Sequence, residues 1–298
     1  MSHTTSRRVR LICWKRLAVA GFFGVAAIGC ATNPTPDPAG PAASEPTYPI
    51  LLADEDGSRR GATLAAWVSL VQGQGMADTP APELQPVTGT IHGLPSALKL
   101  ALRLPRVGES VPMSEEESRE ALRRFISDAG PLLCGDPQQL SLIQRADGAD
   151  GVKLARYQQR PFRYPLRGGY GEMVISFTAD GRIADLSSTC IPDTDRIRRG
   201  FVRLGQQQLA IEKIIGGLLG SDAAYVDSNG QHHSLSITDK SQLNDRELVI
   251  YPVQRAGEPP VIEIHVAWEF TVGDSNGAAI FVDSVTGDIL ATKQHNRP

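Results

Sequence analysis

Side chains suited to metal or acid–base chemistry are few here and badly spaced for it. The six histidines are His3, His92, His232, His233, His265 and His295. A zinc peptidase needs two imidazoles one helical turn apart with a Glu between them, because rings at i and i+4 project from one helix face onto one metal. No two of the six have that spacing. His232 and His233 are adjacent, point in different directions, and are expected as solvated loop residues. Asp147-Gly148-Ala149-Asp150-Gly151 lacks the alternating oxygen ligands and closing Glu of a calcium loop, so a turn is expected. Arg167-Gly168-Gly169-Tyr170-Gly171 has the glycines of a phosphate cradle. It precedes a strand, however, whereas phosphate loops leave a strand and open a helix. A bend that lets two strands approach is expected there. Glu263 and Glu269 share one face of a strand but lie about 20 Å apart on strand rise, too far for a two-carboxylate acid–base pair. They are expected on a solvated or partner-facing surface. No catalytic, metal or cofactor set emerges, and none is expected.

A different kind of cluster occupies the same Gly- and Pro-shaped hairpin. Arg163, Tyr164, Arg167 and Tyr170 have the aromatic and arginine composition of an interface hot spot, which makes them a candidate partner surface. The competing arrangement packs the tyrosines over the sheet edge and leaves the arginines solvated.

The chain begins with an export address. Arg7, Arg8, Arg10, Lys15 and Arg16 form a basic region, and Leu17 to Ile28 is an apolar run too short to span a membrane as a mature helix. Residues 1–29 are therefore expected to be a signal peptide. The run ends Ala27-Ile28-Gly29-Cys30, which resembles a bacterial lipobox and makes Cys30 the expected lipidation site; the alternative is an ordinary cleaved signal with Cys30 incidental. Ala31 stands where an Asp would favour inner-membrane retention, so an outer-membrane anchor is expected. Residues 30–50 carry six prolines from Pro34 to Pro49 and are expected to form a linker of about 3.1 Å per residue, roughly 60 Å in all.

Removing the leader strips five positive charges and no negative ones. The formal net charge moves from −3 to −8, with 25 basic against 33 acidic residues left. An acidic chain without a basic run is a poor ligand for nucleic acid, and a protein partner is expected instead. Of the four cysteines, Cys13 leaves with the leader and Cys30 would carry lipid. Cys134 and Cys190 remain as an even pair in an oxidising compartment, which favours a disulfide worth ~4 kcal/mol on chain entropy. A catalytic thiolate would need a neighbouring His, and none is close in sequence.

The elements that would position these residues fall into an α+β pattern of two successive units, each a helix packed on an antiparallel sheet. Residues 51–85 hold an acidic turn and a short apolar segment with Gly and Pro punctuation, and are expected as an irregular extension. The first unit spans 86–195. Within it, Pro95 to Leu104 fits a short helix or a strand equally well. Ser114 with Glu117 makes a capping box for a helix whose face is Ala121, Leu122, Phe125 and Ile126. Strands are expected at Gln139–Gln144, Val152–Gln159 and Met173–Ala179. The second unit spans 196–298, with a helix over Phe201–Leu219 and a strand over Leu248–Val253. Next comes the strictly alternating strand Ile262 to Val272, an Asn276-Gly277 turn, and the strand Ala279 to Asp283. The junction 191–200 is either a linker or a packed turn.

Two stretches carry a resemblance. In Lys153 to Asp185, a strand ending Gln158-Gln159 leads through a Pro-containing turn and a Gly into a second strand and Asp180-Gly181. This resembles the fungalysin and thermolysin propeptide module, although Pro161 and Arg163 stand where that family has an aromatic and a Gly. Leu248 to Pro252, then Ala267-Trp268-Glu269-Phe270, then Val282-Asp283 with Thr286-Gly287-Asp288-Ile289-Leu290 resemble a PepSY module. Together they cover about two thirds of the chain, in the order of the pro-region of thermolysin-type metallopeptidases, with no peptidase following. The resemblance implies a non-enzymatic lipoprotein that binds a secreted thermolysin-like metallopeptidase as inhibitor or folding assistant. The alternatives are a structural envelope lipoprotein and the non-catalytic half of a split metallopeptidase.

Overall fold

The computed structural model describes residues 48–77, 79–148, 150–205, 207–273 and 277–295. The leader, Cys30 and all but the end of the Pro-rich linker lie outside these residues, as does Asn276 of the expected turn. Helix α2 (Glu115–Asp128) forms where the capping box places it. Ser114 Oγ accepts from the Glu117 amide, and the Glu117 carboxylate accepts from the Ser114 amide. Its apolar stripe of Ala121, Leu122, Phe125 and Ile126 is buried. It faces an antiparallel sheet of β4 (Leu140–Asp147), β5 (Val152–Gln159), β6 (Glu172–Thr178) and β7 (Ile183–Ser188), in that order. Ala155, Met173, Ile175 and Phe177 alternate inward along β5 and β6 and complete the core with the α2 stripe.

Residues 51–85 are not irregular. Strand β1 (Ile50–Leu52) leads into α1, a helix over Ser58–Gly73. The acidic turn is the device that starts it: Asp54 accepts from the Arg59 and Arg60 amides, and Asp56 from the Ser58 amide, which satisfies donors at the helix N-terminus. Thr63, Trp67 and Val71 form its buried stripe, and Trp67 and Val71 belong to the first core. Trp67 Nε1 donates to the Pro80 carbonyl at 2.9 Å. The short strands β2 (Glu83–Leu84) and β3 (Ile91–Gly93) pair with each other, and α3 (Gly130–Leu133) follows α2. Pro95 to Leu104 is neither a regular helix nor a strand: one 3-10 turn spans Ser96–Leu98, and Arg103 then bridges to Arg182.

The junction after β7 begins a helix, α4 (Thr194–Leu204), and the single helix expected over 201–219 is two. Gly205 ends α4, and α5 (Ile211–Leu218) starts after Leu209, whose amide donates to the Ser284 carbonyl. A hairpin of β8 (Asp222–Val226) and β9 (His232–Ser236) follows. The second sheet centres on β11 (Val261–Val272). Strand β10 (Leu243–Arg255) runs along one side of it; β1 and β12 (Ala278–Asp283) share the other, and β13 (Ile289–Gln294) pairs with β12. Strand β1 therefore belongs to the second sheet although it precedes the first. One face of this sheet packs on α4 and, further along, on α5. The opposite face holds a smaller cluster of Val249, Tyr251, Ala267, Ala279 and Phe281. The expected architecture of helices on antiparallel sheets is the observed one. None of the described helices is long and apolar enough to cross a membrane.

Candidate functional site

The loop between β5 and β6 brings the four candidate residues onto the second sheet. Ile250 donates to the Pro165 carbonyl and accepts from the Arg167 amide, so Leu166 bridges the outer edge of β10 in parallel. This covers part of an edge that would otherwise present unpaired amides. Gly168 and Gly171 make the return path, both at positive φ. The positive φ favours glycine at Gly171, and a Cβ there would lie 2.3 Å from Leu166 Cδ2, so the Leu166 side chain would have to shift. The sequence expectation of a bend is what forms, between a loop and a sheet edge.

Each of the four residues has a distinct place. Arg167 spans two carboxylates: its Nε donates to Glu269 at 2.9 Å and its Nη2 to Glu247 at 3.0 Å. Glu247 and Glu269 are directly opposite across β10 and β11, a like-charge pair that is unfavourable unless a cation bridges it. Tyr170 Oη donates to Gln254 at 3.3 Å, and Tyr164 packs against the core under α4. Arg163 is exposed, its guanidinium 5.7 Å from the Tyr164 ring centroid. Arg167 and Tyr170 are thus engaged within the chain, and Arg163 and Tyr164 form a ridge with Phe162. Phe162 meets Phe201 of α4 edge-on at 5.6 Å. A cleft opens on each side of the ridge. The larger, about 680 Å³, is bordered by Ile143, Gln158, Arg160 and Arg167. The smaller, about 320 Å³, is more apolar and is bordered by Phe201, Val202, Arg198 and Val266.

Gln159, the second residue of the Gln pair, is buried and uses its amide as a backbone surrogate. It accepts from the Ile191 amide at 2.8 Å and donates to the Ile191 carbonyl at 3.0 Å. Arg198 donates to the Pro161 carbonyl through two guanidinium nitrogens. Start of loop and start of α4 are therefore fixed to each other.

Glu263 and Glu269 are not solvated. Their side chains are 18% and 15% exposed, and both sit in ion pairs, Glu263 with Arg255 and Glu269 with Arg167. Glu263 also lies 3.3 Å from His265 Nε2. His265 faces Asp283 on its other side, Nδ1 to Oδ2 2.6 Å, and Tyr48 Oη donates to the same oxygen at 2.8 Å. Asp283 Oδ1 accepts from the Val285 and Thr286 amides. Burial pushes the Asp283 carboxyl up, but the bonds from His265, the two amides and Tyr48 outweigh it and hold the group below the usual carboxylate range. The Tyr48 hydroxyl is raised by burial and then by the Asp283 charge. With His265 5% and Asp283 1% exposed, this cluster cannot meet a substrate; it joins residue 48 to β11 and β12. Nothing local in the sequence signals it, since its members are far apart and only strand register assembles them. His233 is likewise no loop residue: it stands opposite Tyr225 across β8 and β9, stacks on its ring, and pairs with Asp227 at 3.0 Å.

Cys134, after α3, and Cys190, after β7, are both free, so the expected disulfide is not formed in the structure. Burial, with the charge of Cys190 added, pushes the Cys134 thiol up to about 12, and burial pushes Cys190 up to about 11. Neither thiol is activated as a nucleophile by its surroundings. Among the described residues no three His, Cys, Asp or Glu side chains gather to hold a metal.

No protein-family model matches the chain, and no curated protein matches it. Among solved structures it is similar to the C-terminal domain of YpeB from Bacillus megaterium, at 11% identity and a TM-score of 0.28, over 65% of this chain and 70% of that one. An uncharacterized protein from Eubacterium rectale is similar at 9% identity and a TM-score of 0.23, over 62% of this chain and 58% of that one.

Proposed function

We propose that this chain is a non-catalytic binding protein of the bacterial cell envelope, anchored to the outer membrane through lipid on Cys30, that grips a partner protein at the ridge of Phe162, Arg163 and Tyr164. The proposed partner is a secreted thermolysin-like metallopeptidase, held as an inhibitor or assisted in folding. The ridge is the observation that carries this reading. An exposed arginine and two half-buried aromatics stand between two clefts on a loop already fixed by Gln159, Arg198 and Ile250. Anchors held in place lose little further freedom on association, which is how a small patch gains affinity. The choice of peptidase rests on the sequence resemblance to a pro-region. Cys134 and Cys190 are proposed to join as a disulfide on export, two protons and two electrons passing to a thiol–disulfide oxidant of the oxidising compartment.

Titration of the full chain into a thermolysin-like metallopeptidase secreted by the same organism, following peptide hydrolysis, tests the reading. Saturable inhibition, or a higher refolding yield of the peptidase, is expected, and Arg163→Glu should weaken it. Neither effect at high protein concentration would remove the peptidase as partner and leave a structural envelope lipoprotein. An unmodified N-terminus on the membrane-extracted protein would refute the lipid. Alkylation of both thiols in unreduced, denatured protein would refute the disulfide.

A further inference from the structure

The larger cleft is lined by Gln158 at the end of β5 and by Arg160, Arg163 and Arg167 of the loop beyond it. Arg156 and Gln158 alternate along β5 with Ala155 and Tyr157, which meet the first core, so both project from the opposite face. Arg156 Nε and Gln158 Nε2 are buried and donate to no described residue, and of the two residues only Gln158 lines the cleft. Further along the chain, Arg160 and Arg163 border the cleft without an ion pair to any described residue; Arg163 has only the Tyr164 ring. Three carboxylates are close by. Glu172 stands opposite Gln158 in register, and Glu247 and Glu269 are both held by Arg167. Of the three only Glu247 lines the cleft, against Arg160, Arg163 and Arg167, so positive charge is in excess there on a chain that is acidic as a whole.

Strand β4 borders the same surface. It pairs with β5 and with no other described strand, so its outer edge is open. Leu142 and Ile143 are exposed on it, and a register shift between Leu142 and Gln144 places Ile143 at the cleft. No Lys or Pro interrupts Leu140–Asp147, and its first half, with Leu140, Leu142 and Ile143, is an apolar stretch of open edge on which a strand can be added. Across the ridge, Val202 is 80% exposed at the mouth of the smaller cleft, beside Phe201 and Tyr164.

We infer that this surface takes an extended acidic segment of the partner protein, paired along the outer edge of β4. Its carboxylates meet Arg160 and Arg163, and one large apolar side chain enters the cleft between Tyr164, Phe201 and Val202. The inference rests on the partner-binding reading above and adds the chemistry of the segment. A strand edge is satisfied by peptide amides and the smaller cleft by an apolar side chain; a polyphosphate chain offers neither.

The test is fluorescence anisotropy of the full chain with a labelled short peptide alternating Glu with Phe and Val, against the same peptide with Lys for Glu. The acidic peptide should bind saturably and the basic one not at all. The double substitution Arg160→Glu and Arg163→Glu should weaken binding by about tenfold or more, and Val202→Asp should weaken it too. All three positions are at the surface, and circular dichroism confirms that the variants fold. Equal binding of both peptides, or binding unchanged by the reversals, overturns the inference. Self-association that the reversals abolish would give the surface to a second copy of the chain and also overturn it. If the peptidase is inhibited by wild type and less so by Arg163→Glu, but the acidic peptide fails to bind, the inference fails while the partner-binding reading stands.

Discussion

The four-stranded sheet rests on one continuous apolar core, whereas the five-stranded sheet divides its interior among three clusters and buries an imidazole and a carboxylate beside them. Burial of Phe125, Phe177 and their neighbours is strong but non-directional, and it does not distinguish one strand register from the next by chemistry alone. The cluster of Tyr48, His265 and Asp283 does. Its short bonds exist only when β1, β11 and β12 hold the observed register, so the polar group specifies what the apolar groups stabilise.

The sharpest way to break the first region is Phe177→Ala, which removes a fully buried ring and should cost about 3 to 5 kcal/mol in denaturant unfolding. Asp283→Ala should cost the second region about 3 kcal/mol, because His265 and Tyr48 lose a shared acceptor inside the protein. Asp283→Asn tests the same site by pH. The folded carboxyl sits below its ordinary value, so its contribution is complete well above about pH 3.9 and is lost as pH falls through the lower folded value. Melting temperature should therefore fall less steeply in acid for the Asn variant than for wild type. An identical acid limb would show that Asp283 is not the group responsible. The smallest effect belongs to the seam between the regions. Arg167→Met should cost about 1 kcal/mol, since the pairs are partly exposed but two facing carboxylates are left unbridged. Adding Glu247→Gln should recover part of that loss.

What could be read in the sequence was whatever is local. The capping box of α2, the alternation of β11 and the inward set of β6 each lie within one element and carry their own periodicity. Helix α1 escaped because its buried stripe opens with Thr63, a polar residue that enters the interior by donating to the Arg59 and Pro131 carbonyls. Helix α4 escaped because only Ile197, Gly200 and Leu204 of it are buried, and four arginines disguise the rest. At the candidate site, composition picked out the loop as a unit, but it could not divide the loop's labour. That Arg167 is consumed by Glu247 and Glu269 while Arg163 stays free depends on β10 and β11 passing beneath, a long-range fact. Arg156, Gln158 and Val202 carried no signal, since an unsatisfied donor and an exposed valine are defined by what surrounds them.

The place where the chain enters the fold has a mechanical consequence. Residues 50–52 run antiparallel to Ile262–Ile264, and Tyr48 just ahead of them is bonded to Asp283. Tension on the chain ahead of Tyr48 is therefore delivered as shear along β1, across a row of backbone bonds that must fail together, with the Tyr48 hydroxyl taking the first load. The sheet of β4 to β7 is not in that line of force, whereas the ridge, on a loop bonded to β10 and sharing one apolar cluster with Ile50 and Leu52, lies directly beside it.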